Sequence, residues 1–204
     1  MEEYFTKTLE QRIPEEAINY VVAHLSKQPT ELVVKSKRKT VLGTYHIPRS
    51  SAEKHLITVN EDLNQYAFLF TLMHEVAHLK VNVNYGANDS ILPHGKEWQA
   101  TFKAIIFEIM EFFPEDIAFA IKNYQEDMSA ATCRDKNLYK AFKKYDKKEV
   151  IFLDDIPINS LFTVNEYPYH FVKQKKLRKN YLCYNTNNKK LYKISGLVDV
   201  KLVS

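Results

Sequence analysis

The stretch from Thr71 to Lys80 reads Thr-Leu-Met-His-Glu-Val-Ala-His-Leu-Lys and holds the densest chemistry in the chain. His74 and His78 stand four residues apart, and Glu75 follows the first of them. On a helix, residues four apart share a face with their Cβ atoms roughly 5–6 Å apart, so two imidazoles can converge on one metal ion. Glu75 then lies beside that ion without occupying a ligand position. A carboxylate there can take a proton from a zinc-activated water, whose pKa falls to about 7, and pass it to a leaving amine. This pattern implies zinc-dependent peptide hydrolysis.

A catalytic zinc usually keeps three protein ligands and one open position. Sixteen residues after His78 stands His94, in Pro-His-Gly-Lys-Glu-Trp. The intervening residues 82–93 are rich in Asn, Gly, Asp and Ser and read as a loop that swings the chain back. His94 is therefore the candidate third ligand, at the mouth of a helix that carries Trp98, Phe102, Ile105, Ile106 and Ile109. Blander readings stand beside these: two core histidines bonded to backbone, and an exposed loop histidine. Around the site, Glu97 is a candidate hydrogen-bond partner for a ligand imidazole, or an exposed first-turn glutamate. Tyr85 is a candidate for holding the oxyanion, although a loop tyrosine has many other uses. His24, His46 and His55 read as surface or half-buried residues.

These residues need elements to hold them. From Leu63 to Leu79 there is no Gly or Pro, and apolar residues fall on more than one side, as in a buried helix. Two histidines and a glutamate there are costly unless something satisfies them, and a metal does. Upstream, Ile13-Pro14-Glu15-Glu16 opens a helix that carries Ile18, Val21, Val22 and Leu25 and ends before Pro29. Residues 31–35, 41–47 and 55–60 read as three strands of a small sheet backing the metal helix. The basic cluster Lys35-Ser36-Lys37-Arg38-Lys39 lies in the first turn between them, as a solvated tip or a phosphate contact.

The combination of Leu-x-His-Glu-x-Ala-His, a third histidine in His-Gly-x-x-Trp, and the run Ile57-Thr58-Val59-Asn60 followed by Leu63 resembles the SprT-like (Spartan-type) metallopeptidase domain. The resemblance spans about residues 10 to 125. Metzincins want a histidine at position 84, which is Asn, and thermolysin-like enzymes a glutamate on a following helix. It implies a zincin-like α+β domain with one catalytic zinc on His74, His78 and His94, and Glu75 as general base and acid. The implied substrates are proteins bound or crosslinked to DNA. The alternative function is a nucleic-acid-binding or transcription-associated factor whose zinc is mainly structural.

The chain has 204 residues, enough for a domain with an appendage or two small domains. No apolar run approaches the roughly 18 residues that span a bilayer, and the first residues carry no secretion signal, so the expected location is cytoplasmic, with no membrane partner. Cys133 and Cys183 alone suit a reducing compartment without disulfides. Charge divides the chain. Residues 1–132 hold 13 Lys or Arg against 18 Asp or Glu, and residues 133–204 hold 16 against 7. A basic module on an acidic one suggests a polyanionic partner, and the resemblance implies that this partner is DNA.

The expected domains are therefore 1–130, the metallopeptidase, and 131–204, a basic β-rich module. Short strand-like runs at 149–153, 161–164, 169–173, 180–184, 190–194 and 198–202 suggest a small antiparallel barrel. Lys173, Lys175, Lys176, Arg178 and Lys179 lie among Tyr169, Phe171, Tyr181 and Tyr184. Such aromatics can stack on bases while lysines hold phosphates, or they can simply form the module's core. Relatives of this kind often carry a carboxy-terminal zinc ribbon with two cysteine pairs. No Cys-x-x-Cys occurs here, so the region reads as a degenerate ribbon held by its own apolar strands.

Overall fold

A computed structural model describes all residues except 39, 51, 87, 89, 127–134, 165–166, 179 and 204. Cys133, Lys39 and Lys179 thus lie outside the described residues. The chain divides into two compact units, Met1–Tyr145 and Asp146–Ser204. This division falls after the expected 130/131 boundary, because Leu138 and Ala141 belong to the first unit's core.

In the first unit, helices α1 (Glu2–Leu9) and α2 (Ile18–Leu25) precede strands β1 (Thr30–Lys35), β2 (Gly43–His46) and β3 (His55–Asn60). The sheet order is β1-β3-β2, with β1 parallel and β2 antiparallel to the central β3. β2 is an edge strand. Next come α3 (Gln65–Tyr85), α4 (Lys96–Glu108), α5 (Glu115–Glu126) and α6 (Lys136–Lys143). The helix expected over Leu63–Leu79 thus starts later and runs further, taking in Tyr85. Asn64 caps α3 by accepting from the Ala67 N–H at 3.0 Å, and Gly86, at φ 69°, closes it where a side chain would be strained.

α3 is buried on several sides, as its sequence predicts. Phe68, Leu69, Phe70, Leu72, Met73, Val76, Ala77 and Leu79 all sit in one core with the inner residues of α1, α2, α4, α5 and β3. Phe70 ties this core together. Its ring centroid lies 5.3 Å from those of Phe102 and Phe142 and 6.3 Å from those of Phe113 and Tyr124. It therefore joins α3 to α4, α5 and α6 one turn before His74. α6 is further fastened to the start of α3, where the Asn64 amide donates to the Phe142 carbonyl at 2.8 Å.

The second unit is an open five-stranded antiparallel sheet in place of the expected barrel. Strands β4 (Leu161–Val164), β5 (Tyr167–Lys176), β6 (Asn180–Asn185), β7 (Leu191–Ser195) and β8 (Val200–Leu202) run in the order β7-β6-β5-β4-β8. Among the described residues the two edges do not pair, so the sheet does not close. The strand expected at 149–153 is absent, replaced by a single bridge from Phe152 to Asp199 and a 3-10 turn at Leu153–Asp155. One face is covered by Leu153 and Ile156 over Phe162, Phe171, Tyr181, Cys183 and Val200. Cys183 is a free, buried thiol, pushed up to about 11 by burial and therefore unreactive.

Replacing Phe70 with Ala removes the side chain shared by four helices. The expected loss is about 3–5 kcal/mol of stability, the usual cost of truncating a buried Phe. Urea unfolding of the wild-type and Phe70→Ala proteins measures it.

Candidate metal centre

α3 presents His74 and His78 on one face by their spacing, and the turn before α4 brings His94 to the same point. The three Nε2 atoms form a nearly equilateral triangle: 3.1 Å from His74 to His94, 3.3 Å from His74 to His78, and 3.2 Å from His78 to His94. Tetrahedral coordination at Zn–N distances of 2.0–2.1 Å sets nitrogens about 3.3–3.4 Å apart. The triangle fits such an ion closely. His74, His78 and His94 are the described group of ligand-type side chains that could hold a metal.

Electrostatics suit the same use. Burial, then the neighbouring imidazoles, holds His74 down to about 3, and burial with His94 holds His78 down to about 4. Burial lowers His94 as well. All three rings are thus neutral near pH 7, the state in which an imidazole nitrogen can ligate.

Glu75, one residue further round α3, is buried beside the edge strand β2. Gly43 makes the room. A Cβ on Gly43 would meet the Glu75 Oε1 at 2.8 Å and the Thr71 Cγ2 at 2.9 Å. Burial pushes the Glu75 carboxyl up to about 8, and the charge of Arg38 opposes that rise. Arg38 is held in place by Asn60, whose Oδ1 accepts from the Arg38 Nε at 2.7 Å. Its Nη2 is buried without a hydrogen-bond partner among the described residues. One member of the basic cluster at 35–39 is therefore drawn inward, while Lys35 and Lys37 stay exposed and Lys37 reaches Asp62 at 3.6 Å.

Several residues around the triangle were not singled out for the site from the sequence. The Trp98 ring stands 4.5, 5.3 and 4.7 Å from the rings of His74, His78 and His94, so it walls all three. Tyr45 of β2 lies parallel to His78 at 6.4 Å, and its hydroxyl donates to the Asn82 Oδ1 at 3.0 Å while meeting the His55 Nδ1 at 2.8 Å. The Gln99 amide donates to the His94 carbonyl at 3.1 Å and steadies the backbone that carries this imidazole. A signal existed for Asn82, which follows His78 by four residues on the same helical face.

Other expectations fare differently. The Glu97 carboxylate is not hydrogen-bonded to any of the three imidazoles among the described residues. Tyr85 lies on the last turn of α3, largely exposed, and not in a loop. His24 is buried and bonded to the Tyr20 carbonyl at 2.9 Å, and His46 meets the Thr44 hydroxyl at 3.1 Å.

Neutral rings at low pH predict late loss of metal. Protons displace a metal only once the ligands bind them, so lowered imidazole pKa values move release downward from the usual 6.5. Zinc is expected to stay bound at about pH 5.5 and to leave nearer pH 4. A chromogenic chelator titrated against pH measures the release, and a midpoint at 6.5 or above contradicts it.

Compared with known proteins, residues 5–117 match the model of the SprT-like family. No curated protein and no solved structure matches the chain.

Proposed function

The chain belongs to the SprT-like family, and from that membership and the three-imidazole site we propose that it is a zinc-dependent peptidase. One observation supports this most: a buried glutamate directly follows one candidate ligand on α3 and is not itself part of the imidazole triangle. A purely structural site has no use for that carboxylate.

His74, His78 and His94 would hold one zinc ion, which when bound supplies a Lewis acid for the scissile carbonyl and lowers the pKa of water. The Glu75 carboxylate takes the proton from the attacking water and returns it to the leaving amine nitrogen. Burial raises its pKa and the charge of a bound cation would draw it back down, so the group is placed to both accept and give a proton. Arg38 and the gap at Gly43 fix where that carboxylate sits. Trp98 and Phe102 keep the His74 side of the site dry.

By family resemblance we assign proteins bound or crosslinked to DNA as the substrate class. On this reading the first unit cuts and the basic second unit recruits the nucleic acid. Among the described residues no helix is long and apolar enough to cross a membrane.

Replacing Glu75 with Gln keeps the shape and removes the base. The variant should bind one zinc per chain and cleave a DNA-binding protein substrate about 10²- to 10⁴-fold more slowly. Fragments on a gel report the rate, and wild-type cleavage by Glu75→Gln would sink the mechanism.

Metal removal separates this reading from the structural-zinc alternative. Because the helix holding the histidines is embedded in a large apolar core, the chelated protein should keep its far-UV circular dichroism while losing activity. Unfolding on chelation would favour the alternative.

A further inference from the structure

The second unit's strands have two faces, and the pairing register assigns each residue to one of them. Phe162, Phe171, Tyr181, Cys183 and Val200 point into the unit's core. Lys173 joins them: it is buried, its Nζ donates to the Ile156 carbonyl at 2.5 Å, and it lies 4.0 Å over the Tyr181 ring. Three of the residues expected to meet nucleic acid, Phe171, Lys173 and Tyr181, are therefore internal and hold the unit together.

The opposite face has a different composition. Register pairs Leu191 with Tyr184, Tyr184 with Val172, and Val172 with Leu161, which makes an apolar row running across β7, β6, β5 and β4. Beside it, Leu182 is paired with Lys193 on one side and with Lys175 on the other. On the row's other flank, Thr163 is paired with His170 and with Lys201. Leu191, Lys175, Lys193 and Lys201 are exposed, and Tyr184, Leu182, Val172 and Leu161 are half-buried. No acidic residue stands on this face in any of the five strands. None of its three lysines forms an ion pair among the described residues, although Lys176 and Lys148 elsewhere in the unit reach Asp154 and Asp199.

We propose that this face binds single-stranded nucleic acid, with unpaired bases lying along the Tyr184 row and phosphates held by Lys175, Lys193 and Lys201. It deepens the proposed function and rests on its reading of the second unit as nucleic-acid-binding. The occupant follows from charge and shape together. Residues 146–204 carry 11 Lys or Arg against 6 Asp or Glu, so the partner is anionic. An apolar row containing an aromatic ring, flanked by cations, offers bases a stacking surface and the backbone its counter-charges, whatever the sequence. Paired bases of a duplex cannot reach such a row. Strand spacing of 4.7–4.9 Å puts Lys175 and Lys193 about 10 Å apart across β6, with room between them for a base over Leu182.

The test uses the full chain carrying Glu75→Gln, so that hydrolysis plays no part. Fluorescence anisotropy of a labelled oligothymidylate of roughly 20 nucleotides, longer than a small β module covers, is read over a salt series. The triple variant Lys175→Glu, Lys193→Glu, Lys201→Glu should bind at least about 30-fold more weakly at low salt, and its salt slope should fall by about 2, as expected for three lost phosphate contacts on a single strand. A control with the same charge change off this face, Lys147→Glu, Lys189→Glu, Lys190→Glu, should lose under about 5-fold. Tyr184→Ala should weaken the oligonucleotide about 5- to 100-fold without changing the slope, the loss of one stacked base.

Equal losses for the two triple variants would overturn the proposal in favour of diffuse charge. So would equal affinity for a duplex of the same length, or tighter binding to vesicles containing phosphatidylserine than to the oligonucleotide. Because binding is read without catalysis, each of these outcomes leaves the peptidase reading standing. Conversely, a protein that binds the oligonucleotide on this face yet never cleaves overturns the peptidase reading alone.

Discussion

The first unit depends on enclosing three half-buried imidazoles and one buried carboxylate in and beside one apolar helix. α3 must be apolar on several sides to hold the core, yet it carries His74, Glu75 and His78 within one turn and a half. Buried imidazoles and a buried carboxylate cost several kcal/mol unless each finds a partner. The structure answers with two separate devices. A third imidazole arrives from the turn before the next helix to make a triangle sized for a cation, and a strand with no side chain at Gly43 opens a slot for the carboxylate. A rotation of about 100° between neighbouring helical residues keeps the two devices apart.

That division explains what the sequence could and could not reveal. His74, Glu75 and His78 are a local pattern, and the helix that carries them announces itself by its composition. His94 was legible because the loop before it is rich in turn residues and a helix follows. Gly43, Arg38 and Tyr45 were not, since each acts only after β2 and the turn behind it fold onto α3. Arg38 in particular sits in a run of like charges, which by pattern alone reads as solvated. Only the buried Asn60 that receives its Nε distinguishes it from its neighbours. Trp98 was visible as a core residue, and in the fold one ring packs on all three imidazoles.

Short elements escaped for a related reason. α1 and α6 are eight residues each, too short to assert themselves by periodicity, and are stabilised by docking. Phe5 and Leu9 bury one face of α1, and Leu138 and Ala141 one face of α6. The cap at Asp135, accepting from the Leu138 N–H at 2.8 Å, was the readable signal for α6. With α6 docked on the first unit's core, Lys136, Lys140, Lys143 and Lys144 fall within the first unit.

In the second unit strand alternation was readable but its phase was not. A bulge between Lys173 and Lys175 breaks the two-residue repeat of β5, so that Lys173 and Lys176 share one face while Lys175 takes the other. A regular strand would have set Lys175 on the core face with Phe171 and Lys173. The bulge instead spends one lysine on the core, where backbone carbonyls and the Tyr181 ring satisfy it, and puts the next on the face lined by Leu182 and Tyr184. A fold without cysteine pairs thereby gains an internal cross-brace. The proposed chemistry, which needs neutral imidazoles, and the proposed partner, which needs exposed lysines, make opposite demands on burial. Two units, each with its own core, let one chain meet both.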